Sequence, residues 1–156
     1  MPEPSKVFQE PETHWAFLTA PSDAEFEGQH FDRKEACRAN SAGSVPKQEL
    51  KHLRQQVAEC VSAFANANPS GGLVVVGISS NGAVKGLRHL TEEQRNQLAS
   101  LNDLLVCHGA SVKFVDCTND SGQPDLVCLI YVPYARSCIC ETVGRFPRAW
   151  KRQGSQ

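Results

Sequence analysis

A short apolar run in the middle of the chain constrains the fold more than any other feature. Residues 73–78 read Leu-Val-Val-Val-Gly-Ile and follow two glycines, Gly71 and Gly72. A continuously apolar run rich in β-branched side chains is typical of a strand covered on both faces, since a strand with one wet face would alternate polar and apolar residues. The sequence therefore predicts a buried central strand.

The segment before this strand has the period of an amphipathic helix. We expect Ser44 to cap its amino terminus and Pro46 to occupy its first turn, where a missing amide proton costs no hydrogen bond. The helix should end near Asn68-Pro69. Its apolar stripe recurs at intervals of three and four residues and consists of Leu50, Leu53, Val57, Cys60, Val61 and Phe64.

Turn and cap signals after the central strand predict a hairpin and a second helix. Asn81-Gly82 is a strong hairpin signal, with a returning strand over residues 83–87. Thr91 and Gln94 have the spacing of a capping box. The helix that they open carries its apolar stripe at Leu98, Leu101 and Leu105.

The remaining segments complete a fold of the α/β class, mixed α+β in type. Strands are predicted over residues 25–37, 111–117 and 126–132, with a last pair over 138–143 and 149–152. The order of strands and helices predicts one central sheet with two helices packed on it.

The amino-terminal segment differs from the rest. Residues 1–24 carry four prolines and mixed charge and are predicted to form an irregular arm. Two aromatic side chains, Trp15 and Phe17, are expected to pack this arm on the core. We therefore expect an arm over residues 1–24 and one domain over residues 25–156.

Composition bounds the class of protein. With 40% hydrophobic and 21% charged residues over 156 positions, the chain can bury a core and is not disordered. No stretch approaches the roughly 18 consecutive apolar residues of a membrane span, and residues 1–9 lack the apolar core of a signal peptide. We therefore expect a cytoplasmic protein with no membrane partner.

The seven cysteines fit that compartment. They include no Cys-x-x-Cys pair, and Cys138 and Cys140 stand too close together for the usual zinc site. Four lie in apolar runs, where a thiol behaves as a small buried hydrophobe: Cys60, Cys107, Cys117 and Cys128. We therefore interpret the cysteines as free thiols with a structural role, and a metal-binding or redox role is the alternative.

Two local groups of basic residues stand out. The first shares one face of the predicted helix and consists of Lys47, Lys51 and Arg54. The second lies near the carboxyl terminus and consists of Arg145, Arg148, Lys151 and Arg152, with Trp150 among them. Because fields between charges are screened over about 8–10 Å, such groups matter more for binding a polyanion than the formal net charge of −1. The helix group is either a solvated surface or a phosphate-facing stripe, and Trp150 either closes the core or stacks on a base.

Four short segments, in this order, resemble the Schlafen AlbA-type domain. They are Glu27-Gly-Gln-His-Phe-Asp32-Arg-Lys34, Ser62-Ala-Phe-Ala-Asn66, Gly71-Gly-Leu-Val-Val-Val-Gly77-Ile with Gly82 and Val84-Lys-Gly86-Leu87, and Trp150-Lys-Arg152-Gln-Gly154-Ser155. The resemblance covers roughly residues 25–156. It implies an Alba-like, Schlafen-core fold and contact with nucleic acid, either DNA or RNA.

In some Schlafen proteins this domain is a metal-dependent endoribonuclease that acts on structured RNA such as tRNA, and the resemblance implies that activity as an alternative. Its acidic motif maps onto Glu27 and Asp32 as candidate catalytic residues and ligands for Mg²⁺ or Mn²⁺, with Lys34 as their basic partner. The third acid of the family follows the buried strand, where this chain has Ser79-Ser80. The absence of that acid argues against catalysis.

The spacing of these residues leaves two interpretations open. Glu27 and Asp32 are five positions apart, which places two side chains of a regular strand on opposite faces, although Gly28 permits a bulge that would re-aim one of them. Asp32 and Lys34 are two positions apart and share a face. They form either a functional pair that contacts metal or phosphate, or an exposed ion pair on an edge strand.

We therefore expect a nucleic-acid-binding domain that contacts the backbone of DNA or RNA. Its expected contacts are Lys34, Lys47, Lys51, Arg54, Arg145, Arg148, Trp150, Lys151 and Arg152. The alternatives are the endoribonuclease, which would need Mg²⁺ or Mn²⁺ as its cofactor, and a protein-interaction or sensor domain. The resemblance further implies homodimerisation and a C-terminal effector domain, with this chain as the N-terminal module of a larger ATPase-like regulator or defence protein.

Overall fold

The computed structural model describes residues 2–26, 30–39, 41, 43–105, 109–134, 141–142 and 148–149. The elements follow in the order α1 (Pro4–Gln9), α2 (Trp15–Leu18), α3 (Asp23–Phe26), β1 (Phe31–Lys34), α4 (Lys47–Ala67), β2 (Gly72–Val76), α5 (Glu92–Ala99), a 3-10 helix (Leu101–Leu104), β3 (Ser111–Thr118), β4 (Pro124–Val132), β5 (Glu141–Thr142) and β6 (Arg148–Ala149). None of the described helices is long and apolar enough to cross a membrane.

The central sheet has the strand order β1–β2–β4–β3. β1 and β2 are parallel, with Phe31 opposite Leu73 and Lys34 opposite Val76, whereas β4 runs antiparallel to both β2 and β3. All of β2 is buried, which confirms the predicted strand covered on both faces. Because α4 connects two parallel strands, the carboxyl ends of β1 and β2 and the amino end of α4 meet at the same edge of the sheet.

One face of the sheet is covered by α4 and α5. The predicted stripe of α4 is confirmed, since all its apolar positions are buried. They pack against side chains from alternate positions of the central strands: Val74, Val76, Cys128, Ile130 and Val132. The prediction that Ser44 caps α4 is wrong, because Pro46 keeps an extended backbone (φ −60°, ψ 143°) and is itself the N-cap residue. The helix ends at Ala67, as Asn68-Pro69 predicts.

The opposite face is covered by α1, α2 and α3, which we call the arm. The prediction of an irregular segment here is wrong, since the arm is made of short helices. Helices of four to six residues are stabilised by packing and not by propensity, and Val7, Leu18 and Phe26 are fully buried against the sheet. Trp15 and Phe17 pack on the same cluster, which confirms their expected role.

The first strand is shorter than predicted. Of residues 25–37, Phe31–Lys34 form β1, whereas Asp23–Phe26 form α3. The ring of Phe26 lies 5.0 Å from the ring of Phe17. Phe26 therefore joins the apolar cluster of the arm and does not extend the sheet.

The hairpin predicted after β2 forms its turn but not its returning strand. Gly82 has a φ of +84°, a conformation that favours glycine. An isolated β-bridge follows, and the chain then turns because the amides of Lys85 and Gly86 both donate to the carbonyl oxygen of Gly77. The predicted strand over residues 83–87 is therefore wrong.

The other predicted elements are confirmed with small shifts. Thr91 and Gln94 form the capping box of α5, and the apolar stripe continues into the 3-10 helix. The strands predicted over residues 111–117 and 126–132 are β3 and β4. In the described part of the predicted last pair, β5 and β6 form an antiparallel ribbon, and both of its strands contact α4. The result is the predicted mixed α+β fold around one central sheet.

Candidate nucleic-acid interface

Asp32 and Lys34 lie on the same face of β1, as their spacing predicts. The Lys34 Nζ atom is 3.0 Å from the Asp32 Oδ2 atom. The thiol of Cys60, on α4, donates a hydrogen bond of 3.3 Å to the same oxygen. Only 7% of the Asp32 side chain is exposed, against 24% of the Lys34 side chain. The pair is therefore covered by α4, and the interpretation as an exposed ion pair is wrong.

The described residues after β2 do not supply the missing third acid. Ser79 is buried, and its hydroxyl donates to the side chain of Asn81. The carbonyl oxygen of Ser80 accepts a hydrogen bond from Arg33, whose side chain points to the opposite face of β1 from that of Asp32. In the part of the chain that the structure describes, no three His, Cys, Asp or Glu side chains are placed to hold a metal ion.

Of the two predicted metal ligands, Asp32 lies among the described residues. Mg²⁺ and Mn²⁺ bind carboxylate oxygens, whereas the Asp32 Oδ2 atom is held by both Lys34 and Cys60. Glu27, the other predicted ligand and candidate catalytic residue, lies outside the described residues. In this structure the ion pair lies within β1, and the hydrogen bond from the Cys60 thiol links it to α4.

Arg33, between the two predicted site residues, is a buried anchor that no sequence motif indicated. Its guanidinium group is fully buried, pairs with Asp23 at 2.9 Å and lies 4.6 Å from the centre of the Phe26 ring. It also donates to the carbonyl oxygens of Leu18, Ala20 and Ser80 at 2.7–3.2 Å. Arg33 therefore fastens the arm to the sheet. The one available signal was strand alternation, which separates Arg33 from its neighbours.

The basic face predicted on α4 is divided between solvent and protein. Lys47 and Lys51 are exposed, whereas Arg54 is half-buried. An Nη atom of Arg54 donates to the carbonyl oxygen of Ser100 at 3.4 Å, and its buried Nε atom has no hydrogen-bond partner among the described residues. Two of the three predicted side chains are therefore presented to solvent, and the third leans towards the 3-10 helix.

The carboxyl-terminal basic group is described only in part. Arg145, Trp150, Lys151 and Arg152 lie outside the described residues, and Arg148 is described by its backbone, which pairs with Thr142 in the β5–β6 ribbon. Because this ribbon contacts α4, the backbone of Arg148 lies beside the helix that carries the exposed lysines.

The carboxyl edge of β1 and β2 carries a third basic group, which we call the edge group: Arg38, Lys85 and Arg88. All three are exposed on the loops that follow β1 and the hairpin turn. The Lys85 Nζ atom is 2.8 Å from a carboxylate oxygen of Asp120, and this hydrogen bond raises the pKa of Lys85. The fold gathers these residues from two separate loops, so no local run in the sequence indicated them.

Asp125 is a buried carboxylate that holds this edge together. Its Oδ1 atom accepts hydrogen bonds of 2.9 Å from the amides of Leu87 and Arg88, and its Oδ2 atom accepts one from Asn119. Burial alone would raise the pKa of Asp125, but the hydrogen bonds from one side chain and three backbone amides lower it below its ordinary value. A Cβ atom at Gly86 would come within 2.1 Å of this carboxylate, so the turn requires glycine there.

Four of the seven cysteines are described, and these four are free thiols. Burial raises the pKa of Cys128 to about 12 and that of Cys117 to about 11, and it also raises the pKa of Cys37. Thiols that stay protonated at neutral pH are poor nucleophiles and poor metal ligands. Their environment agrees with the structural role predicted for buried cysteines.

Comparison with known proteins places this geometry in a family. The model of the family described as Schlafen, AlbA_2 matches residues 27–156. The match covers most of the chain and begins directly after α3, so it includes the sheet, α4 and α5 but not the arm. No curated protein matches the chain.

Proposed function

Because the chain belongs to the Schlafen, AlbA_2 family, we propose that it is a nucleic-acid-binding domain that holds the sugar–phosphate backbone of DNA or RNA. Family membership indicates a function related to nucleic acids, and the proposal adds a binding surface. That surface combines the exposed lysines of α4 with the basic carboxyl-terminal group. Its members are Lys47, Lys51, Arg145, Arg148, Lys151 and Arg152, with Trp150 as a stacking platform for a base.

One observation carries the proposal. The β5–β6 ribbon contacts α4, although a long stretch of chain separates them. The backbone of Arg148 therefore lies beside the helix that exposes Lys47 and Lys51. Of the carboxyl-terminal basic group, Arg148 therefore belongs to an element that neighbours α4 although it is distant from that helix in the sequence.

This combination suits contact with phosphates more than the reading of bases. Lysine and arginine side chains that neutralise phosphates release condensed counterions, so binding weakens steeply as salt rises and depends little on sequence. The other predicted contacts contribute less, because Lys34 is paired with Asp32 and Arg54 is turned towards Ser100.

The endoribonuclease alternative has no comparable support among the described residues. The Asp32 carboxylate is already matched by Lys34, and Ser79 stands where a third acid would be required. If Glu27 and Asp32 nevertheless form a metal site, cleavage of tRNA in the presence of Mn²⁺ has to disappear in both Glu27→Gln and Asp32→Asn. Equal cleavage by all three proteins would instead indicate a contaminating nuclease.

Fluorescence anisotropy over a series of salt concentrations tests the proposed surface. A short duplex DNA and a single-stranded RNA serve as labelled probes. We expect the double variant Lys47→Ala/Lys51→Ala to bind more weakly, and we expect the slope of log affinity against log salt to fall by about two. The matched control is Lys6→Ala, because Lys6 lies on the arm at the opposite face of the sheet.

Two results would overturn the proposal. The first is that neither probe binds the wild-type protein at low salt. The second is that Lys6→Ala reduces the affinity and the salt slope as much as the α4 variant does.

A further inference from the structure

A cavity of about 320 Å³ lies at the carboxyl edge of the two parallel strands. Its lining comes from the loop after β1 and from the loop after the hairpin turn: Glu35, Ala36, Cys37, Arg38, Ala39, Lys85 and His89. In open α/β sheets, the carboxyl ends of parallel strands are where ligands usually bind. The cavity is separate from the Asp32–Lys34 pair, since neither of those residues lines it.

The two loops that form the cavity are fixed to each other and to the sheet. The Nε2 atom of His89 donates to the carbonyl oxygen of Cys37, which ties one loop to the other. The amide of Gly77 donates to the carbonyl oxygen of Lys34 at 2.8 Å at the base of the first loop. Asp125 holds the second loop through two backbone amides. The walls of the cavity are therefore preorganised, which lowers the cost of binding.

Two cations and one carboxylate line the cavity. Arg38 and Lys85 bring positive charge from two different loops, against the carboxylate of Glu35 on the same lining. Arginine presents a planar fork that matches a phosphate group, and lysine adds a point charge. The small side chains of Ala36 and Ala39 leave room between them. Lys85 is also within hydrogen-bond distance of Asp120, so a bound anion would share this lysine.

The size of the cavity limits the ligand. A volume of about 320 Å³ is at the lower end of small-molecule sites, which are roughly 300–1,000 Å³. Such a space takes one nucleotide and not a length of strand. A terminal phosphate monoester carries more negative charge than an internal diester, so it would compete better with Asp120 for the ammonium group of Lys85.

We propose that this cavity binds the terminal phosphate of a nucleic-acid strand, with Arg38 and Lys85 as the phosphate-contacting residues. The inference rests on the proposed function, because it makes the cavity the end-binding subsite of the backbone-binding surface. The ligand class is a nucleotide phosphate monoester at a strand end. The experiment distinguishes a phosphate at the 5′ end of the strand from one at the 3′ end.

The test compares RNA probes of one sequence that end in a 5′-phosphate, a 3′-phosphate or hydroxyl groups only. We expect the wild-type protein to bind one phosphorylated probe about tenfold more tightly than the hydroxyl probe, as charge-assisted hydrogen bonds provide. Arg38→Ala and Lys85→Ala should remove this preference. Arg88→Ala is the matched control, since Arg88 is an exposed neighbour that does not line the cavity, and it should retain the preference.

Failure of the subsite and failure of the proposed function give different results. If all three RNA probes bind the wild-type protein equally, or if Arg38→Ala keeps the preference, the subsite is refuted and backbone binding stands. If no probe binds, the proposed function fails. A thermal-shift measurement with a nucleoside monophosphate then tests separately whether the cavity binds a phosphate group. A rise in melting temperature for wild type and Arg88→Ala but not for Arg38→Ala would support the cavity as a phosphate site, and no rise in wild type would refute it.

Discussion

The two faces of the central sheet are closed by different means. On one face, a single long helix, α4, supplies a continuous stripe of buried apolar side chains. On the other, the arm covers the sheet with three short helices, and the buried guanidinium group of Arg33 fastens it. The first face is therefore held mainly by apolar packing, whereas the second also depends on a polar anchor.

Strand β1 divides its side chains between these faces. Asp32 and Lys34 form their pair on the α4 side, whereas Arg33 points to the arm. The family match includes β1 and the elements on the α4 side but leaves out the arm, because it begins at residue 27. Residues 1–26 nevertheless bury Val7, Leu18 and Phe26 in the second core. We therefore propose that the folding unit includes the arm.

The largest effect is expected from removing a side chain on the α4 face. Phe64 is fully buried, so Phe64→Ala should lower the free energy of unfolding by about 3–5 kcal/mol, as urea denaturation measures. Phe17→Ala is the matched change on the arm, where Phe17 is only partly buried, and its loss should be smaller. Equal losses would contradict this expectation, because they would mean that the partly buried ring on the arm contributes as much apolar packing as the fully buried ring on α4.

Removing the polar anchor should loosen one face and spare the other. Arg33→Met deletes hydrogen bonds to three carbonyl oxygens and to Asp23. We expect it to lower the free energy of unfolding by about 2–3 kcal/mol. Hydrogen exchange should rise in the arm before it rises in α4. Arg33→Lys keeps the charge without the planar fork and should give an intermediate loss. Unchanged protection of the arm in Arg33→Met would show that Arg33 does not fasten it.

Asp125 provides a test of the sheet edge that depends on pH. Its pKa lies below the ordinary value of 3.8, so its stabilising effect is present above that pH and is lost as the pH falls through the lowered pKa. Asp125→Asn should lower the free energy of unfolding by about 1–2 kcal/mol at neutral pH. Below pH 3.8, the free energy of unfolding of this variant should fall less steeply with decreasing pH than that of the wild type. The exposed Asp116 offers a control, Asp116→Asn, which should change the free energy of unfolding at neutral pH by less than about 0.5 kcal/mol. An acid limb that is the same in Asp125→Asn and wild type would refute this role.

The smallest effect on stability is expected at the edge group. The side chains of Lys85 and Asp120 are 44% and 37% exposed, and exposed ion pairs contribute little to folding. Lys85→Ala should therefore leave the urea midpoint unchanged within error. A clear drop in the midpoint would mean that this pair supports the fold, and its use as a binding variant would then be compromised.

The sequence predicted the α4 face well and the arm poorly, for a physical reason. A helix of 21 residues repeats its apolar period several times, so the pattern is visible. The arm helices have four to six residues, too few for a period to emerge. Their buried residues are defined by contacts with Leu73 and Leu129 in the sheet, which are far away in the sequence.

The candidate site, too, could be predicted only where the signal is local in the sequence. Spacing alone was enough to place Asp32 and Lys34 on one face. It could not reveal that Cys60 covers them, because that contact joins positions 28 residues apart. The roles of Arg33 and Asp125 were missed for the same reason, since their partners come from other elements. The edge group was missed because its members come from separate loops.

Lysine footprinting by mass spectrometry is the most direct test of where nucleic acid binds. The protein is acetylated with and without a saturating duplex DNA or RNA, at low salt. We predict that Lys47, Lys51 and Lys151 become protected together, while Lys6 and Lys113, which belong to the arm side and lie near Val7 and the Phe8 ring, react as before. Protection confined to Lys6 and Lys113, or equal protection of every lysine, would contradict a phosphate-binding surface on the α4 side of the sheet.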